Sequence, residues 1–126
     1  MQTSNIYRDG YTKPGFISPV EGLHGALEFR FRPMLSEEVD ATEEAAGKQP
    51  NKKGAVVVFA TAIAQKLTEW SEVDDAGKPA AITADAVRRL PPAMFGRLYR
   101  IIAGVSPSEM PPHATAEEMD DYTRNL

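Results

Sequence analysis

The side chains able to do chemistry in this sequence are few and scattered. It holds 2 histidines and no cysteine, and His24 and His113 stand far apart in segments flanked by Gly or Pro. A protein metal site draws on several His, Cys, Asp or Glu donors at matched spacing. Both histidines therefore read as loop or surface residues, and no metal is expected. Two acid pairs, Glu37-Glu38 and Asp74-Asp75, bring carboxylates together, but acid–base work needs an apolar pocket that lifts one pKa toward neutrality. A loop or a helix start supplies no such pocket, so solvated charge is the expected state. A nucleophilic serine would need a supporting histidine, and neither histidine lies in a recognisable partner motif. The sequence also lacks GxxxxGK[ST] and GxGxxG, the loops that cradle phosphates. No catalytic residue and no cofactor are expected, and the chain reads as a non-enzyme.

The densest cluster of one chemistry is Arg88, Arg89, Arg97 and Arg100, with Asp85 as the acid within that stretch. Guanidinium groups bind phosphates or the carboxylates of a protein partner through paired hydrogen bonds. They also make an ordinary solvated face opposite a buried one. A protein partner is favoured over nucleic acid, because no interleaved aromatics and no general basic excess accompany the arginines. Up to Gly104 acids and bases balance, whereas Glu109, Glu117, Glu118, Asp120 and Asp121 then face only Arg124, which accounts for the net charge of −4. Gly22-Leu-His-Gly25 has the spacing of a backbone-clamping GxxG loop, yet it runs straight into a strand pattern and reads as a turn. Glu37-Glu-Val-Asp40 repeats a tetrapeptide that cochaperones read at free C-termini; here it is internal and coincidental.

The elements that must position these groups follow from periodicity. Over Gly25 to Met34, Leu27, Phe29 and Phe31 alternate with Glu28, Arg30 and Arg32, the period of a strand with one buried face. Pro33 removes a backbone donor and ends it. Before it, residues 1–24 carry Asp9-Gly10 and Lys13-Pro14-Gly15 and read as turns, short strands or a hairpin. Ser36 is the expected N-cap of a short acidic helix with Glu37 and Glu38 in its first turn, and Gly47 to Gly54 reads as an exposed loop. Ala55 to Trp70 places Val56, Phe59, Ala60, Ile63, Leu67 and Trp70 on one helical stripe. Val57 and Val58 fall off that stripe. Either a second layer covers them, or Val56-Val-Val-Phe59 is a short strand, with helix the favoured state. Thr83 should cap a helix to Leu90, Pro91-Pro92 should start the next, and Met94, Phe95, Leu98, Tyr99, Ile101 and Ile102 should form its buried side, with Gly104 as the stop.

These readings give an α+β chain. N-terminal strands or a hairpin lead into a small bundle of three to four helices, with a compact domain over 25–104 and a flexible acidic tail over 105–126 that carries at most a marginal helical turn around Ala116 to Tyr122. A chain of 126 residues, 42% hydrophobic and 25% charged, has the length and composition of one modest core. The start shows no basic stretch and apolar run of a secretory signal, and no run of about 18 apolar residues occurs to span a membrane. With cysteine absent, a cytoplasmic location is expected.

Leu27-Glu-Phe-Arg-Phe-Arg-Pro-Met-Leu35, Trp70-Ser-Glu-Val-Asp74, Ile82-Thr83 and the run from Leu90 to Gly104 together resemble the small tail assembly chaperones of long-tailed bacteriophages and prophages. The resemblance implies an α-rich or α+β protein with no active site, acting in the host cytoplasm. It also implies binding to the tape-measure protein during tail construction, self-association into a homo-oligomer, and in many members a frameshifted extension. On that reading Val57, Val58, Trp70, Arg97 and Arg100 become the candidate partner-binding residues. Trp70 also fits as plain core, and Leu27 to Phe31 fits either core packing or an edge strand shared between subunits. Two alternatives stay open: a structural head–tail joining component retained in the particle, and a small nucleic-acid-binding regulator using Arg88, Arg89, Arg97 and Arg100.

Overall fold

The computed structural model describes residues 5–123. The first four residues of the N-terminal segment and the last three of the C-terminal one, Arg124 among them, lie outside the described residues. The chain is α+β, as its patterning predicts. Two strands, β1 (Lys13–Ile17) and β2 (Leu27–Phe31), lead into helices α1 (Ser36–Gly47) and α2 (Lys52–Lys66). Then come strand β3 (Leu67–Trp70) and helices α3 (Ala84–Arg88), α4 (Pro92–Ile102) and α5 (Ala116–Thr123). The strands form one antiparallel sheet in the order β1-β2-β3. β2 is therefore the central strand and has no edge to share between subunits.

The alternation read over β2 is what builds the core. Leu27, Phe29 and Phe31 are all at most 5% exposed, whereas Glu28 is exposed. Their buried face packs with Ile63 of α2, Val87 of α3, and Leu98 and Ile102 of α4, each fully buried. Burial of such a side chain stabilises by about 1.5–3 kcal/mol, so this layer of helices on a sheet is the main source of stability. α4 buries Met94, Leu98, Ile101 and Ile102 as its wheel predicts, with Pro92 at its start. At its end Gly104 adopts φ +77, a left-handed conformation that an L side chain resists. Thr83 caps α3, its Oγ1 accepting from the Ala86 amide at 3.0 Å.

Four local expectations are corrected. The stripe over Ala55 to Trp70 is helical only to Lys66; Leu67 to Trp70 turns into β3 and pairs with β2. No Gly or Pro stops the helix there. Pairing does it, with Leu67 opposite Phe31, the Arg32 amide donating to the Lys66 carbonyl at 2.9 Å, and a register shift at Arg30/Phe31 that leaves Thr68 bonded through its hydroxyl to the Arg30 carbonyl. Val56 does not belong to the buried side, being 39% exposed. α2 packs against α1, α3, α4 and β3, so it is the central helix and its apolar residues cannot be sorted by a single stripe. The loop read over Gly47 to Gly54 shrinks to residues 48–51, because Asn51 caps α2 by accepting from the Gly54 amide at 2.9 Å. The cap of α1 is Leu35, one residue before Ser36.

Glu38 completes that helix start. Its Oε1 accepts from the Leu35 amide at 2.9 Å, and its other oxygen pairs with Lys66 at the end of α2. The Leu35 hydrogen bond, followed by the Lys66 bond, holds its carboxyl below the usual glutamate range. Because the folded-state pKa is depressed, the stabilisation is present above the free-glutamate value near about 4.3 and is lost as pH falls through the folded value. Glu38→Gln, which keeps the capping acceptor and removes the charge, should therefore cost about 0.5–1 kcal/mol at pH 7, with a smaller gap between wild type and variant at pH 3 in chemical denaturation. An equal difference at both pH values would contradict this account.

The C-terminal segment, expected as a flexible tail, returns to the sheet. The Phe16 amide donates to Ser108 Oγ at 2.8 Å and the Glu109 amide donates to the Phe16 carbonyl at 3.1 Å. These bonds cover the outer edge of β1, an edge that otherwise invites pairing with another chain. α5 then packs against β1. Phe16 alternates away from Ile17 and the core, toward the face of Glu28, yet is only 4% exposed. α5 begins with a reciprocal cap, Thr115 Oγ1 accepting from the Glu118 amide and Glu118 Oε1 from the Thr115 amide. Among the described residues no helix is long and apolar enough to cross a membrane.

Candidate protein-binding surface

The four arginines are engaged within the chain. At the end of α3, Arg88 and the C-cap residue Arg89 both reach Asp85, at 2.6 and 3.1 Å. The two guanidinium groups, Arg89 first and then Arg88, hold the Asp85 carboxyl below its usual range. Spacings of three and four residues on one helix face make these contacts local. On α4, Arg97 pairs with Glu109, and Arg100 Nε donates to Ser106 Oγ at 3.2 Å. Both therefore fasten the returning C-terminal segment to α4. Arg97 and Glu109 are half-buried and still reached by solvent, where an ion pair contributes about 1 kcal/mol or less, so the contacts orient the segment more than they stabilise it.

Trp70 lies on β3, half-buried against the core, and its indole Nε1 donates to the Ala80 carbonyl at 2.8 Å. It ties β3 to the chain that leads into α3. Between them, Asp74 organises a turn, its Oδ1 accepting from the amides of Ala76 and Lys78 at 2.9 and 3.0 Å, with Gly77 at φ +78. The acid pair thus includes one turn-forming carboxylate. His24 closes the turn from Val20, its Nδ1 lying 2.8 Å from the Gly25 carbonyl. Among the described residues no group of three or more His, Asp or Glu is placed to hold a metal ion.

Val57 and Val58 have different fates. Val57 is 43% exposed beside Val56 at 39%, whereas Val58 is half-buried. The exposed pair projects from the first two turns of α2, next to the exposed Lys52 and Lys53. The five candidate residues are thus not gathered into one patch. Val57 marks an apolar ridge with a basic flank on α2, Arg97 and Arg100 hold the C-terminal segment, and Trp70 braces the sheet. Leu35, 43% exposed ahead of α1, is a further bare apolar side chain that strand and helix patterns did not single out. Sequence reading also passed over the half-buried Lys13, because the signal lies in its burial rather than in any motif. Compared with known proteins, the chain matches no family model, no curated protein and no solved structure.

Proposed function

We propose that the chain is a non-enzymatic partner-binding protein of the tail assembly chaperone kind, acting on a long helical tail protein of the tape-measure class. The observation that carries this reading is the bare valine ridge, Val56 and Val57, beside Lys52 and Lys53 at the start of a helix whose remaining sides pack inward. An apolar stripe on a partner helix, flanked by acids, is complementary to such a ridge. The resemblance over Leu27 to Gly104 supports the same class of partner. The internal pairing of Arg88, Arg89, Arg97 and Arg100 leaves a phosphate backbone poorly served and argues against the nucleic-acid reading.

Coexpression with a long heptad-rich tail protein, followed by size-exclusion chromatography with mass measurement, tests the proposal. Wild type should coelute with the partner. Val56→Asp with Val57→Asp should leave folding stability within about 0.5 kcal/mol, as surface changes do, while recovering about tenfold less partner or lower still. Undiminished coelution of this folded double variant would remove α2 as the contact, and a wild-type chain that elutes alone would remove the chaperone reading.

A further inference from the structure

A cleft of about 330 Å³ opens where the start of β1 meets the end of α4 and the chain that follows it. Phe31, Pro33 and Ile101 give it an apolar floor, and Tyr7 and Tyr122 stand on its walls. Lys13 reaches into the same space, half-buried. Among the described residues its ammonium forms no ion pair. A volume of this size lies at the small end of pockets that hold organic ligands, which combine apolar walls with a few placed polar groups.

We propose that this cleft binds a small monocarboxylate with an apolar body, the carboxylate resting on the Lys13 ammonium and the apolar part over Pro33 and Ile101. Three observations select that chemistry. A single half-buried cation suits one negative charge, whereas a phosphate dianion calls for several cations or a row of backbone amides. Burial lowers the Lys13 pKa, so the ammonium is held at a cost that a docked anion would offset. Tyr122, its pKa raised by burial first and then by the charge of Glu28, stands on the cleft wall as a neutral phenol able to donate a hydrogen bond. Among the described residues the serine hydroxyls on the rim are already committed, Ser106 to Arg100 and Ser108 to the Phe16 backbone, which leaves the Lys13 ammonium and the tyrosine hydroxyls to recognise a ligand, the Tyr7 ring being stacked on Tyr11. The site shares no residue with the valine ridge and stands independently of it.

The same chemistry is offered by a free acid or by the terminal residue of a peptide, so the full-length protein is titrated in parallel with phenylacetate and with N-acetyl-Gly-Phe. Amide chemical shifts report the binding. Saturable shifts centred on Lys13, Ile101 and Gly104 are expected with at least one of them, and the tighter of the two identifies the source. Phenylacetamide, which has the same shape without the charge, should bind about tenfold more weakly or worse. Lys13→Met should weaken the acid to the level of the amide, and Tyr122→Phe should weaken it less. Equal binding of acid and amide by the wild-type protein, shifts centred elsewhere, or no saturable shift with either probe would overturn the proposal without recourse to any variant.

Discussion

Phe31→Ala is expected to lower the free energy of unfolding by about 3–5 kcal/mol, out of a total of about 5–15 kcal/mol for a domain of ordinary stability. Phe31 is 1% exposed and lies between both neighbouring strands, opposite Lys13 on β1 and Leu67 on β3. Its ring centroid is 5.5 Å from that of Phe29, the rings tilted at 40°. Removing it deletes apolar area and leaves a hole that β2, fixed on both edges, has little freedom to close. Phe31→Leu, which keeps most of the volume, should lose markedly less. Glu28→Ala, on the exposed side of the same strand, should change stability by no more than about 0.5 kcal/mol. Denaturant titration of the three variants reads this directly, through a falling midpoint at constant slope. A Phe31→Ala loss below about 1 kcal/mol would falsify the assignment of this sheet face as the core.

Gly15→Val should cost about 3 kcal/mol by a different route, adding atoms where there is no room. A Cβ at Gly15 would fall 2.3 Å from two ring carbons of Phe29, its cross-strand partner. Such a distance is far inside van der Waals contact. The Phe29 ring is 5% exposed and already stacked at an angle on Phe31, so it cannot swing away without disturbing a second aromatic. The glycine is needed here for space. Phe29→Leu should relieve the clash, and the four proteins of the double-mutant cycle should show a favourable coupling of about 1–3 kcal/mol. Strict additivity would show that the two positions do not compete for the same volume.

Where periodicity was local and one-sided, structure followed from it. β2 alternates because one of its faces is buried, and α4 shows a clean wheel because it lies on the surface with one side inward. Thr83, Pro92 and Gly104 acted as their backbone chemistry dictates. β3 was hidden for a physical reason: Leu67 and Trp70 continue the helical spacing of Ile63, and only the distant partner β2 draws them into a strand. α2 misled in the opposite sense, since a helix packed on several sides buries apolar residues all round and leaves bare those that happen to find no neighbour, Val56 and Val57. Of the arginines, the Asp85 pairs were readable from spacing alone, whereas Arg97–Glu109 depends on a segment folding back from beyond Gly104. The Thr115 to Glu118 cap was present in the sequence as a local signature, and it announces α5. Lys13 gave no signal at all, because half-burial of an ammonium depends on what tertiary structure places around it.

The hydrogen bond from Phe16 to Ser108 joins positions 92 residues apart. On a ribosome, β1 is made early and can meet β2 at once, but its outer edge stays open until Ser108 and Glu109 have also emerged. Throughout that interval a nascent chain exposes an unpaired strand, the kind of edge that recruits other copies or a holding chaperone. Truncation just after Gly104 would make the exposure permanent, leaving the shared core of sheet and helices in place beside an open strand edge prone to aggregate.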